Sequence, residues 1–333
     1  MRTVALFSRL ACAGAIVFGC ALAPYTASAE DPKIPCSTAR VIVPFAAGGE
    51  SDIISRIFTD IANKHGAKPQ LQVVNVTGQS GNKGAKDVLN AAPDGCTIFN
   101  AHQSVLSSYL TGRVNFTWDD FAPVGQITVT ASIIGAHPSV PYNDLKGLQA
   151  YAKANPGKVL AGASLGSTSH FNLVRLQNVL GVKFKYVAYD GTRERMTALL
   201  SKNIDIGQIS ETAAAQYMKN NELKVLGLLF KEPSKNVPEM KTAIQQGFDL
   251  SIGTNRGFLL PKKTPKPVVD YYIKLVKAVA EDPAFKRQIE EKGSFVVYLG
   301  GQDYANWWKQ EFEAWKSDAI AVGLYRPQKK KKS

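Results

Sequence analysis

Residues 40–56 read RVIVPFAAGGESDIISR, and the change of pattern inside them sets the fold class. Arg40–Phe45 is a run of β-branched and aromatic residues, the composition of a strand buried on both faces. Beyond it Ile53, Ile54, Ile57, Phe58 and Ile61 recur at helical spacing, so a helix is predicted to begin near Ser51 or Asp52. AAGGESD is the turn between them. Strand, small-residue turn and helix make one unit of a parallel sheet. The unit recurs: strand 72–76 runs into TGQSGNKG and a helix over 85–91, and PDG at 93–95 turns the chain into a strand over 96–100. Strand 159–161 runs into ASLGSTSH, and strand 184–187 into YDGT. Further strands are predicted over 127–134, 204–209, 224–229 and 256–260, with helices over 145–154, 170–180, 193–200, 267–280 and 302–322. The fold class is α/β. The stripe Trp307, Trp308, Phe312 and Trp315 has helical spacing and is read as core packing.

The turns share a physical use. The first N–H groups of a helix have no acceptor inside it and carry partial positive charge. Glycine lets an anion approach them closely, and turns at the carboxyl ends of parallel strands converge on one crevice. Taken together they predict an anion cradle.

The chain has 333 residues and a formal charge of +13. Arg2 and Arg9, the apolar run 10–22 and Ala27-Ser28-Ala29 predict a signal peptide over 1–29, cleaved after Ala29. The run is short for a bilayer span; Cys20 offers a lipoprotein as the alternative. An exported protein, expected in the periplasm, follows. Residues 327–333, with Lys329–Lys332, are expected to be a disordered tail. The remaining cations are dispersed without aromatic partners, which excludes nucleic acid. Cys36 and Cys96 remain after cleavage, as a candidate disulfide or as two separate thiols. No cofactor and no metal site are expected.

Residues 162–166, GASLG, match G-x-S-x-G, which can place Ser164 as a nucleophile. The histidines stand at 65, 102, 137 and 170, with none beyond, so the hydrolase order of nucleophile, acid and later histidine is not met. TSH instead reads as a helix start with Ser167 or Thr168 as capping hydroxyl. The chain is read as no enzyme, with a serine hydrolase at Ser164 as the lesser alternative.

On VIVPFAAGGESDIISR, NVTGQSGNKGAKDVLNAAPDGCTIF, FTWDDFAPVGQI, LQAYAKANPGKVLAGASLGSTSHF, YVAYDGT and LLPKKTPKPVVD, the sequence resembles the substrate-binding receptors of tripartite tricarboxylate transporters, the Bug family. The resemblance implies a two-domain periplasmic binding protein type II fold. Each domain would be a mainly parallel sheet flanked by helices, with the ligand cleft between them. Domain one would be 30–130 plus 256–326, domain two 131–255, with chain crossings near 127–134 and 251–257. It implies a monomer that holds a small carboxylate (a di- or tricarboxylate, an acidic amino acid or an aromatic acid) and delivers it to a membrane permease. An exported sensor for a signalling partner is the alternative.

Carried over residue by residue, the ligand set is Phe45, Ala46, Ala47, Gly48, Gly49, Glu50, Ser51 and Asp52 in the first turn. Ser164, Leu165, Gly166, Ser167, Thr168 and His170 form the second, with Tyr189 and Asp190 across the cleft. Gly78 matches the glycine loop, and His102 and Gln103 follow the third strand. Glu50 departs from the family's usual glycine. It either points away as a first-turn acid, pairs with Arg256 or another cation, or receives an amino or hydroxyl group of the ligand. Arg256 either grips a second carboxylate or is a solvated hinge arginine. Asp52 is expected to cap its own helix, and His170 to be a helix-start residue held by its neighbours or a ligand contact.

Overall fold

The computed structural model describes residues 32–189 and 192–326. The expected signal peptide, Asp190 and the lysine tail lie outside the described residues. The chain runs β1 (Thr38–Val43), α1 (Glu50–Lys64), β2 (Gln70–Asn75), α2 (Asn82–Leu89), β3 (Thr97–Ala101) and α3 (Ser104–Leu110). A long strand, β4 (Phe121–Ala136), leads to α4 (Leu145–Ala154), β5 (Leu160–Ala163), α5 (Thr168–Leu180), β6 (Lys185–Ala188), α6 (Thr192–Leu200), β7 (Ile206–Ile209), α7 (Glu211–Lys219) and β8 (Lys224–Leu229). The return passes through β9 (Gly253–Pro261), α8 (Lys266–Glu281), α9 (Pro283–Glu291), β10 (Phe295–Gly300) and α10 (Gly301–Ala321).

The strands form one path in the order β2-β1-β3-β9-β4-β7-β5-β6, with β8 and β10 also on β4. β1 is parallel to β2 and β3, and β5 is parallel to β6 and β7. β9 and β4 run antiparallel to their neighbours. β4 pairs with β9 from Phe121 to Ala131, then with β7 and β8 from Ser132 to Ala136. A single strand therefore belongs to two groups of strands, and nearly all of it is buried.

Side chains alternate across a strand, so each group packs helices on both faces. Val41 belongs to the apolar cluster of Phe58, Phe258 and Tyr272, while its neighbour Ile42 belongs to that of Phe99, Trp308 and Trp315. Trp308 and Trp315 are fully buried, with Trp315 stacked on Phe171 of α5 at 4.8 Å. Tryptophan at this spacing is core. Cys36 and Cys96 are joined by a disulfide with Cα atoms 6.0 Å apart, pinning the segment before β1 to the turn before β3.

Candidate interlobe anion cleft

The β1–α1 turn is held from outside its own helix. Asp52 is buried, and its carboxylate accepts from the Gly48 N–H (2.8 Å), Arg56 Nε (3.0 Å) and Asn75 Nδ2 (2.9 Å). Asn75 also donates to the Phe45 carbonyl at 3.0 Å. Burial alone would raise the Asp52 carboxyl. The bonds from Arg56, Gly48 and Asn75 outweigh it and hold the group below the ordinary carboxylate range. The expectation that Asp52 caps its helix is thus corrected: Arg56 and Asn75 turn the carboxylate back to the residue before the N-cap. α1 begins at Glu50, one residue before the predicted start, and its N-cap Gly49 has no side-chain cap. Among the described residues the amides of Glu50, Ser51 and Asp52 have no acceptor. Ala46, Ala47 and Gly48 are exposed in front of them.

The β5–α5 turn repeats the arrangement. Its N-cap is Ser167, but the Ser167 hydroxyl donates to the Ser164 carbonyl at 2.6 Å rather than accepting from the helix. Thr168, the other candidate cap, spends its hydroxyl on His102. The predicted capping hydroxyl is therefore absent, because nearer acceptors take both groups. α5 too starts uncapped by a side chain.

Two contacts set these turns face to face. His102 Nδ1 accepts from the Ser104 N–H (3.2 Å) and from the Thr168 hydroxyl (3.0 Å), while its ring stacks on Phe45 at 4.7 Å. Burial, aided by the Arg256 charge, pushes the His102 imidazole down to about 3, so it is neutral. On the same rim Arg113 donates to the Gly166 carbonyl and to Ser108 Oγ at 3.1 Å. His170 Nδ1 accepts the Gly166 N–H at 3.1 Å, with its ring edge-on to Tyr186. Burial, then Arg113, pushes it down to about 4. His170 thus shapes the turn from within it.

Arg256 is 3% exposed, not a solvated hinge residue. Its Nε donates to Ser51 Oγ (2.9 Å), Nη1 to Thr130 Oγ1 (2.7 Å) and the Thr254 carbonyl (3.4 Å), and Nη2 to Glu50 Oε2 (2.6 Å). Of the three readings of Glu50, the structure shows pairing with Arg256. The guanidinium ties the start of α1 to both long strands β4 and β9.

Other residues of the expected set take supporting places. Gln103 is buried, exchanging hydrogen bonds with Asn255 and donating to the Gly253 carbonyl at 3.1 Å. The glycine loop backs the first turn: a side chain at Gly84 would meet Pro44 Cβ at 2.9 Å, and one at Gly81 the Phe45 ring at 3.2 Å. Gly78 has φ +123°, and its carbonyl accepts from the Gly81 N–H at 3.1 Å. Tyr189 packs with the apolar cluster of β7 and α6, while Leu165 is exposed at the tip of the second turn. Among the described residues Ser164 makes its hydrogen bonds through its backbone, and Nδ1 of His102 and of His170 are engaged elsewhere. Arg113, Asn75, Arg56 and Thr130 were not foreseen. Each is a lone polar residue outside the glycine-rich turns read from the sequence: Asn75 and Thr130 arrive on β2 and β4, Arg56 one helical turn after Asp52, and Arg113 on the turn after α3.

Among the described residues no helix is long and apolar enough to cross a membrane. The family model described as Tripartite tricarboxylate transporter family receptor matches residues 54–324. A protein of the UPF0065 group from Cupriavidus necator is 27% identical over 92% of this chain and 94% of its own. The structure of the periplasmic binding protein BugD superposes with a TM-score of 0.73 at 27% identity, covering 86% of this chain and 98% of that one. MatC from Rhodopseudomonas palustris, with bound malate, superposes with the same score of 0.73 at 24% identity, over 84% and 98% of the two chains.

Proposed function

Because the chain belongs to the tripartite tricarboxylate transporter receptor family, we propose that it is an exported solute-binding receptor. It captures a small carboxylate between two lobes and presents it to a membrane permease. The lobes are residues 30–130 with 256–326, and 131–255, and they turn about β4 and β9. The observation that carries this reading is the pair of uncapped helix starts, α1 and α5, on turns bridged by His102–Thr168 and Arg113–Gly166. A carboxylate held there accepts main-chain N–H donors, and closure strengthens each bond by excluding water. Hydrogen bonds to charged groups contribute about 1.5–3 kcal/mol each. Several of them, less ordering costs, reach the roughly −8 kcal/mol of micromolar binding. The malate held by MatC is of this chemical class.

Melting of the mature protein against a panel of mono-, di- and tricarboxylates, amino acids and aromatic acids tests the reading. A true ligand at a hundredfold excess over its Kd stabilises by about 2.7 kcal/mol, a shift of several degrees. A panel in which no carboxylate moves the transition would count against a carboxylate receptor. Uptake of a hit into cells carrying the permease, lost when this chain is deleted, tests delivery.

A further inference from the structure

Resting on that reading, we infer that Glu50 sets the charge class of the ligand. The cleft favours a zwitterion whose carboxylate lies on the α1 amides and whose ammonium lies on Glu50, and it disfavours a second carboxylate at that place. Arg256 stands at the start of α1, where it could grip a ligand carboxylate, yet its donors go to Ser51, Thr130, Thr254 and Glu50. It is also too buried to be shared. Glu50 already fills the position of a bound anion on that guanidinium.

Among the described side chains bonded to the two turns, the other charges are engaged as well. Asp52 is bound to Arg56, His102 and His170 are neutral, and Arg113 is engaged by Gly166 and Ser108. What the first turn offers is the partial positive charge of the α1 amides and, beside it, one carboxylate. Glu50 Oε2 binds Arg256, whereas Oε1 has no partner among the described residues and the side chain is 36% exposed. An ionised carboxylate only accepts hydrogen bonds, so Oε1 suits an ammonium. A second ligand carboxylate would meet a like charge whose counter-ion is already used. Specificity of this kind comes from repelling the wrong ligand as much as from attracting the right one.

Calorimetric titration with matched pairs tests the inference: L-aspartate against succinate, L-glutamate against glutarate, and L-leucine against 4-methylpentanoate. The wild type is expected to bind at least one aminated member tenfold or more tighter than its partner. Glu50→Gln keeps the size and an acceptor but removes the charge; it should weaken the aminated member at least tenfold and tighten the dicarboxylates. Glu50→Gly should do the same more strongly by freeing Arg256, and Glu50→Gln keeps the test informative if that variant folds poorly. The inference is overturned if wild type binds the amine-free partners equally well or better. It is equally overturned if Glu50→Gln leaves the preference unchanged; in both cases the carboxylate receptor still stands. Binding of none of the six compounds, nor of any other carboxylate, would remove both readings together.

Discussion

His102 and His170 are neutral where an unfolded histidine is half charged near pH 6.5. A lowered histidine pKa means that the unfolded chain binds protons which the folded chain refuses. Stability is therefore complete above about pH 6.5 and falls as the solution is acidified. Each histidine removes about 1.4 kcal/mol per pH unit. Its loss stops once the folded imidazole itself titrates, about 4 for His170 and about 3 for His102. Asp52 adds to the loss only below the ordinary carboxylate range, because its folded pKa is lowered rather than raised. Urea unfolding at pH 7, 6 and 5 should show free energy dropping steeply across that window. In a His102→Gln, His170→Gln double variant the slope should lose up to about 2.7 kcal/mol per pH unit, a limit approached between pH 6 and 5. An unchanged slope would mean that neither imidazole is held neutral.

The turns and helices make a different point, visible in α2. TGQSGNKG reads as an anion turn, yet Gly84 is there because α2 lies hard against the first turn. An added Cβ would come within 2.9 Å of Pro44 Cβ and 3.0 Å of the Val76 carbonyl. Gly84→Ala is expected to cost about 1–3 kcal/mol of overpacking and to weaken binding by displacing Pro44 and Phe45. Denaturant midpoints and a titration with any hit would measure both, and wild-type values for both would refute the packing role. From sequence, glycine for an anion and glycine for a neighbour look alike. Elements with clear periodicity were legible: α4 and β8 fall on their predicted residues, and β4 and β9 enclose the predicted strands. α3 was not, since its polar positions Ser104, Ser107 and Ser108 are small, uncharged and buried along with its apolar ones. β10 was missed for the converse reason, every residue being half-buried without alternation. In the site, both turns could be read because their chemistry lies in contiguous residues. The Arg256–Glu50 pair was open among alternatives, and Arg113 was invisible, because 206 and 53 residues separate each from its partner.

The proposed lobes share β4 and β9 and touch across the cleft through Thr168 on His102 and Arg113 on the Gly166 carbonyl. A neutral hydrogen bond contributes about 0.5–1.5 kcal/mol and a charged one about 1.5–3. Removing both by Arg113→Ala with Thr168→Val should shift the open–closed balance by about 2–4.5 kcal/mol toward open. On the proposed function only the closed form completes the cradle, so apparent affinity is expected to fall with its population, by tenfold or more. Spin labels at the exposed Lys86 of α2 and Lys153 of α4, replaced by cysteines, would report the distance between the lobes. Wild type should show a shorter distribution than the double variant, and a saturating ligand should bring the variant back to the wild-type distance. If the substitutions weaken binding while the distribution stays fixed, Arg113 and Thr168 act on the ligand directly and closure is not their part in it.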